Sequence, residues 1–171
     1  MLPALCALTL RGQVVSREYQ LKAVFLYRFT QFVDWPPTAF SSQDSPIIIG
    51  VLGRDPFGGY LEAAVRNERV RNRLLAIQHH QRIQDAMNCH LLFISPSEQA
   101  RQEKVLADLK ARSILTVGET EGFARDGGMI QFITEQNRIR FRINLQAVRA
   151  ANLQMSSKLL ELAEVVNAPK G

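Results

Sequence analysis

The sequence predicts an α/β fold: a single-domain three-layer sandwich with a mainly parallel central sheet, an antiparallel hairpin at one edge and helices on both faces. Three observations predict it. Two uninterrupted apolar runs, IIIGVL at 47–52 and HLLFI at 90–94, have the length and continuity of strands buried on both faces. Helix-patterned segments alternate with the strands, which produces βαβ units and a parallel sheet. Late in the chain, Met129–Thr134 and Arg138–Ile143 flank Glu135-Gln136-Asn137 as the two arms of a hairpin.

The elements follow in order. Glu18–Val33 reads as a largely buried helix, with Leu21, Phe25, Phe29 and Phe32 at 4-4-3 spacing on one face and Leu26, Tyr27 and Val33 widening it; Pro36 and Pro37 end it. Ser41–Ser45 is a polar loop before the Ile47–Leu52 strand. Gly53–Gly59 is a turn opening a short helix at Tyr60–Arg66. Arg73–His79 is a second strand, Ile83–Met87 a short helical piece and His90–Ile94 a third strand. Ser97–Arg112 is a helix capped by Ser97, with Val105, Leu106 and Leu109 inward. Ile114–Val117 is a fourth strand. After the hairpin two helices close the chain, the last with Met155, Leu159, Leu162, Ala163 and Val166 on one stripe.

The 171 residues are 46% hydrophobic and 22% charged, which suits one domain with a substantial core and excludes a disordered chain. No apolar run reaches the roughly 20 residues that span a bilayer. Leu2–Leu10 (LPALCALTL) has the size of an export-signal core, although no basic segment precedes it. The expected division is therefore a residual signal-like segment at 1–16 and one domain at 17–171, with localisation in the periplasm; a cytosolic chain with an apolar first strand is the alternative. Cleavage between Gly12 and Arg17 would remove Cys6 and leave Cys89 as the mature chain's one cysteine.

The net charge of +5 favours acidic partners. Chemistry is hard to find. GRDPFGG at 53–59 occupies a phosphate-loop position but matches neither GxGxxG nor GxxxxGK[ST], and Asp55 would repel an anion. His79 and His80 are adjacent on a strand and point to opposite faces, so they chelate poorly, and His90 has only Cys89 beside it. No nucleophile has an evident base. The reading is a protein that is not an enzyme, with no catalytic residue, cofactor or metal site and no nucleic-acid partner.

Five segments taken together, LKAVFLYRFTQFVDWPPTAF (21–40), VLGRDPFG (51–58), CHLLFIS (89–95), ILTVGETEGFARDGGMIQF (114–132) and RIRFRINLQAVRAANLQMSSKLL (138–160), resemble the YfiR family in order and spacing. The resemblance implies a periplasmic regulator that represses a membrane-bound diguanylate cyclase (YfiN-like) by binding its periplasmic domain. That would lower cyclic-di-GMP and biofilm formation. It further implies relief by a YfiB-like outer-membrane lipoprotein, self-association into a homodimer and an α/β sandwich. Such proteins can carry stabilising, redox-sensitive disulfides. Here Cys89 stands without a mature partner, and Gly50, inside the neighbouring apolar strand, is the slot where one would sit.

The expected partner face is the hairpin and the helix after it: Arg138, Arg140 and Arg142 as a row of guanidiniums, with Ile130 and Val148 adding apolar contact. Solvated edge protection is the competing reading of those arginines. A second functional reading is a periplasmic small-molecule sensor, with a ligand pocket at Trp35 and Phe57. Cys89 is the candidate redox residue.

Overall fold

The structure, a computed structural model, describes residues 3–166, with side chains from Arg11 onward. Helix α1 (Pro3–Phe32) is one unbroken rod. It begins within the segment expected as a residual signal; the side chains of 3–10 lie outside the described residues. Strand β1 (Val33–Asp34) follows, then β2 (Ile47–Leu52), α2 (Tyr60–Val65), β3 (Arg69–Val70), β4 (Arg73–His80), β5 (Leu91–Ile94), α3 (Gln102–Leu109) and β6 (Leu115–Gly118). The chain continues through β7 (Ile130–Glu135), β8 (Arg138–Asn144), α4 (Leu145–Ala150), β9 (Gln154–Met155), α5 (Ser157–Glu161) and β10 (Glu164–Val166).

Eight strands form the main sheet in the order β10-β8-β7-β6-β5-β2-β4-β3. The run from β4 through β2, β5 and β6 to β7 is parallel; β7–β8 is antiparallel, and so is β3–β4. β10 lies outside the hairpin, parallel to β8, so the hairpin is one strand in from the edge. Ile49, Val51, Leu91, Phe93, Leu115 and Val117 are fully buried beneath α1 and α2. On the other face Leu52, Leu92 and Ile94 pack with Val105, Leu106 and Phe123. Two apolar layers around a sheet buried on both faces give the expected sandwich, because parallel strands need cover on each side.

Three local expectations are corrected. Leu26, Tyr27, Phe29 and Val33 are buried as expected, but on α1 Leu21 is 48% exposed and Lys22 takes an inward place, held there by two carboxylates. Ser97 is not the cap: Ser95, whose hydroxyl accepts from the Ser97 amide, caps a 3-10 segment at Pro96–Arg101, and α3 follows it with Arg101 in the cap position and no side-chain cap bond. The last helix does not exist as one element. Its stripe is split among β9, α5 and β10, and Leu162 is 74% exposed. Ser156 starts α5 by accepting from the Lys158 amide, and β10 is drawn into the sheet beside β8.

Candidate functional site

Strand β8 positions the arginines. Ile139, Phe141 and Ile143 face α1, so the pleat puts Arg138, Arg140 and Arg142 on the opposite face, across from Glu135, Ile133 and Gln131 of β7. The segment after β6 covers Gln131, whose Oε1 accepts from the Ala124 amide at 3.0 Å. Beyond it the face is open, and Arg138 and Arg140 are exposed with no ion pair among the described residues. Arg142 donates from Nε to Glu164 Oε2 at 3.0 Å and ties β10 to β8. The tight turn behind this row places Gln136 and Asn137 at positive φ (50° and 61°), a geometry that asparagine tolerates.

The apolar partners expected beside the arginines are elsewhere. Ile130 and Val148 are both fully buried. Ile130 shares the α1-facing side of β7 with Phe132, and Val148 is the inward residue of α4. Neither presents a contact surface.

Trp35 and Phe57 form no joint pocket. Phe57 follows β2 and packs on Phe93 and Tyr19, with ring centroids 4.8 and 5.6 Å away. Trp35 lies toward the opposite end of the strands, where its Nε1 donates to the His90 carbonyl at 2.9 Å. Both belong to the core.

The carboxyl ends of the parallel strands are the usual ligand position of such folds. Here side chains fill the ends of β2 and β5, while a cleft of about 420 Å³ lined by Lys22, Glu119, Thr120 and Phe132 remains beside the end of β6. Gly53 has φ of +92°, and a Cβ there would meet Ser97 and the buried Glu98. The Arg54 amide donates to Ser97 Oγ and the Phe57 amide to Asp55 Oδ1, at 2.9 and 2.7 Å. These donors are spent within the protein. At the end of β6, Lys22 is 3% exposed and bridges Glu18 and Glu119. Tyr19 donates its hydroxyl to Glu119 Oε1 and Thr134 donates to Glu18 Oε1. Partial burial works against ionisation of Glu18, but the bonds from Lys22 and Thr134 outweigh it and hold that carboxyl below its ordinary range. Burial, then the bond to Glu119, raises the Tyr19 phenol. Sequence reasoning missed Lys22. The available signal was its place four residues before Leu26 and seven before Phe29, inside the apolar stripe.

The histidines are separate. His79 Nε2 lies 3.1 Å from Glu62 Oε1, and His80 Nε2 contacts its near neighbour Gln78. His90 is buried: Nδ1 accepts from the Ile48 amide and Nε2 donates to the Ala39 carbonyl, each at 2.9 Å. Those two partners fix the neutral Nε2–H tautomer. Burial, aided by Arg73, holds the His90 pKa below its ordinary value against the opposing pull of the Ala39 carbonyl. Its ring stacks on Phe40 at 4.4 Å. Cys89 is buried and free, and burial pushes its thiol up to about 11, which makes it a poor redox sensor as a lone thiol. No group of three or more His, Cys, Asp or Glu side chains is placed to hold a metal among the described residues. No described helix is long and apolar enough to cross a membrane.

A family model described as YfiR/HmsC-like matches residues 19–164. That family is regulatory rather than catalytic and associated with cyclic-di-GMP signalling. No curated protein matches the sequence.

Proposed function

The chain belongs to the YfiR/HmsC-like family, and we propose that it is a periplasmic repressor of a membrane-bound diguanylate cyclase. It acts by contact with the cyclase's periplasmic domain and so lowers cyclic-di-GMP. The observation that carries the reading is the row of arginines on the open face of β8. Arg138 and Arg140 are exposed, have no acidic partner among the described residues and stand on a strand fixed by neighbours on both sides. A fixed guanidinium row pairs with carboxylates without first ordering a loop, and its forks match carboxylate geometry in a way lysines do not. In this reading a YfiB-like outer-membrane lipoprotein relieves the block by sequestering the chain, and the chain itself is a homodimer.

The test measures cellular cyclic-di-GMP in three strains: gene deleted, restored as wild type, and restored as Arg140→Glu. Deletion is expected to raise the nucleotide, wild type to reverse the rise, and Arg140→Glu to fail although folded and present at wild-type level. An unchanged nucleotide level on deletion overturns repression. Full repression by Arg140→Glu overturns the contact face.

A further inference from the structure

A cleft of about 640 Å³ opens at the amino ends of β2, β5 and β6, at the opposite end of the sheet from the Lys22 bridge. Its volume is that of a small-ligand site. Ile48, Met87 and Ile114 supply apolar lining, the neutral thiol of Cys89 extends it, and Thr38, Ser41, Ser45, Asn88 and Ser113 add neutral polar groups. His90 forms one wall with both ring nitrogens already bonded to backbone. Among the described residues no carboxylate lines the cleft, and Arg112 is the only formally charged side chain that does. Its guanidinium is exposed and makes no ion pair among the described residues.

That composition selects a ligand class. A metal cation finds no anionic ligand. A nucleotide brings several negative charges, and against them the cleft sets one guanidinium, its other donors being neutral side chains. A sugar needs an open aromatic face, but Phe40 has His90 at 4.4 Å on its ring and the Arg73 guanidinium at 3.7 Å. What remains is one cation, unpaired among the described residues, on a cleft otherwise lined by apolar and neutral polar side chains.

We propose that this cleft binds a small carboxylic acid with an apolar body, its carboxylate on Arg112 and its chain against Ile48, Met87 and Ile114. The site is independent of the arginine row and of the cyclase reading. The floor supplies affinity through burial and the guanidinium supplies orientation and sign selection. The His90 wall connects it to Trp35, the sole tryptophan, through the bond from the indole to the His90 carbonyl.

Amide NMR of the full chain tests this with hexanoate and with hexylamine, which has the same tail and the opposite charge. Hexanoate is expected to cause saturating shifts at Ile48, Met87 and Ile114 in the millimolar range, and hexylamine none. Arg112→Gln, at an exposed position, is expected to keep the spectrum of the fold and weaken hexanoate by about tenfold. Met87→Glu, which puts a carboxylate on the floor, is expected to abolish binding. Absence of saturating shifts with hexanoate, equal binding of hexylamine, or unchanged affinity in Arg112→Gln would each overturn the proposal.

Discussion

Lys22 Nζ lies 2.8 Å from Glu119 Oε2, which joins the middle of α1 to the segment that leaves β6. The ammonium also bonds Glu18 on its own helix and lies 4.9 Å from the centroid of the Tyr19 ring. A lysine this enclosed is tolerable only because its charge is matched on two sides. The bridge stands on the wall of a cleft of about 420 Å³ at the carboxyl ends of the strands, where it neutralises the two carboxylates.

Lys22→Met keeps the side chain's length and removes the charge. Glu18 and Glu119 are then left facing each other with little water, and removing one partner of a buried pair is strongly unfavourable. The expected loss is about 3 kcal/mol in urea unfolding, the low end of that range because Glu18 retains 25% side-chain exposure. Adding Glu119→Gln should recover part of the loss. A Lys22→Met variant within ~0.5 kcal/mol of wild type, the scatter of ordinary surface changes, would show that the bridge does not hold α1.

Gly50 and Cys89 form a second relationship with a measurable consequence. A Cβ on Gly50 would stand 2.5 Å from Cys89 Sγ and 3.5 Å from Cys89 Cβ. The first distance makes Gly50→Ala a clash. The second is within the Cβ–Cβ range of a disulfide, about 3.5–4.5 Å. Gly50→Cys is therefore expected to form a disulfide during oxidative folding, before burial raises the Cys89 thiol to about 11. Closing a loop of roughly 40 residues adds about 4 kcal/mol in the chain-entropy account. Thermal unfolding with and without reductant checks this. A free thiol count of two in the unfolded, unreduced variant, counting only these positions, would refute it.

What the sequence made legible follows from how locally each element is determined. The runs at 47–52 and 91–94 are buried on both faces, so their apolar continuity is visible without knowledge of the neighbours. The glycine in the first run was legible for the same reason, because nothing polar accompanies it. β10 has three residues and exists only through its pairing with β8; Leu159, Leu162 and Val166 fit a helical stripe equally well in isolation. β3 and β4 meet at Arg71-Asn72, both at positive φ, which carries no turn signature; Arg71 is held there by Asp34 at 2.6 Å. Lys22, Glu119 and His90 lie far apart in sequence from the groups that complete them, and only the fold brings those partners in.

The arginine row and its supposed apolar flank should respond oppositely to mutation. Arg140→Glu changes an exposed residue with no ion-pair partner among the described residues and is expected to alter unfolding free energy by less than about 0.5 kcal/mol. Ile130→Ala opens a cavity between Phe132 and the helix layer and is expected to cost about 3 kcal/mol. Loss of repression by Ile130→Ala would then accompany loss of folded protein, and by Arg140→Glu would not. Circular dichroism melts of the two variants separate the cases. Equal destabilisation by both would remove the basis for treating Arg140 as a surface contact.

His90 makes stability depend on pH with a definite sign. Its Nδ1 accepts from the Ile48 amide, so a proton there would set two N–H groups against each other. Burial and the nearby Arg73 disfavour the cation further, while the Ala39 carbonyl only partly offsets them, and the folded pKa falls below 6.5. The unfolded chain therefore takes up a proton at His90 from about pH 6.5 downward while the folded chain does not. Stability is full above pH 6.5 and declines as pH falls from there toward the folded pKa. Glu18 acts in a lower window: its folded pKa is below 4.5, so its contribution is present above that value and fades as pH falls through the folded pKa. His90→Gln lowers the starting stability but removes the upper dependence. Urea midpoints at pH 7.5, 6.5 and 5.5 should therefore converge for wild type and variant as pH falls. Parallel lines for the two proteins across that range would show that His90 carries no proton-linked stability.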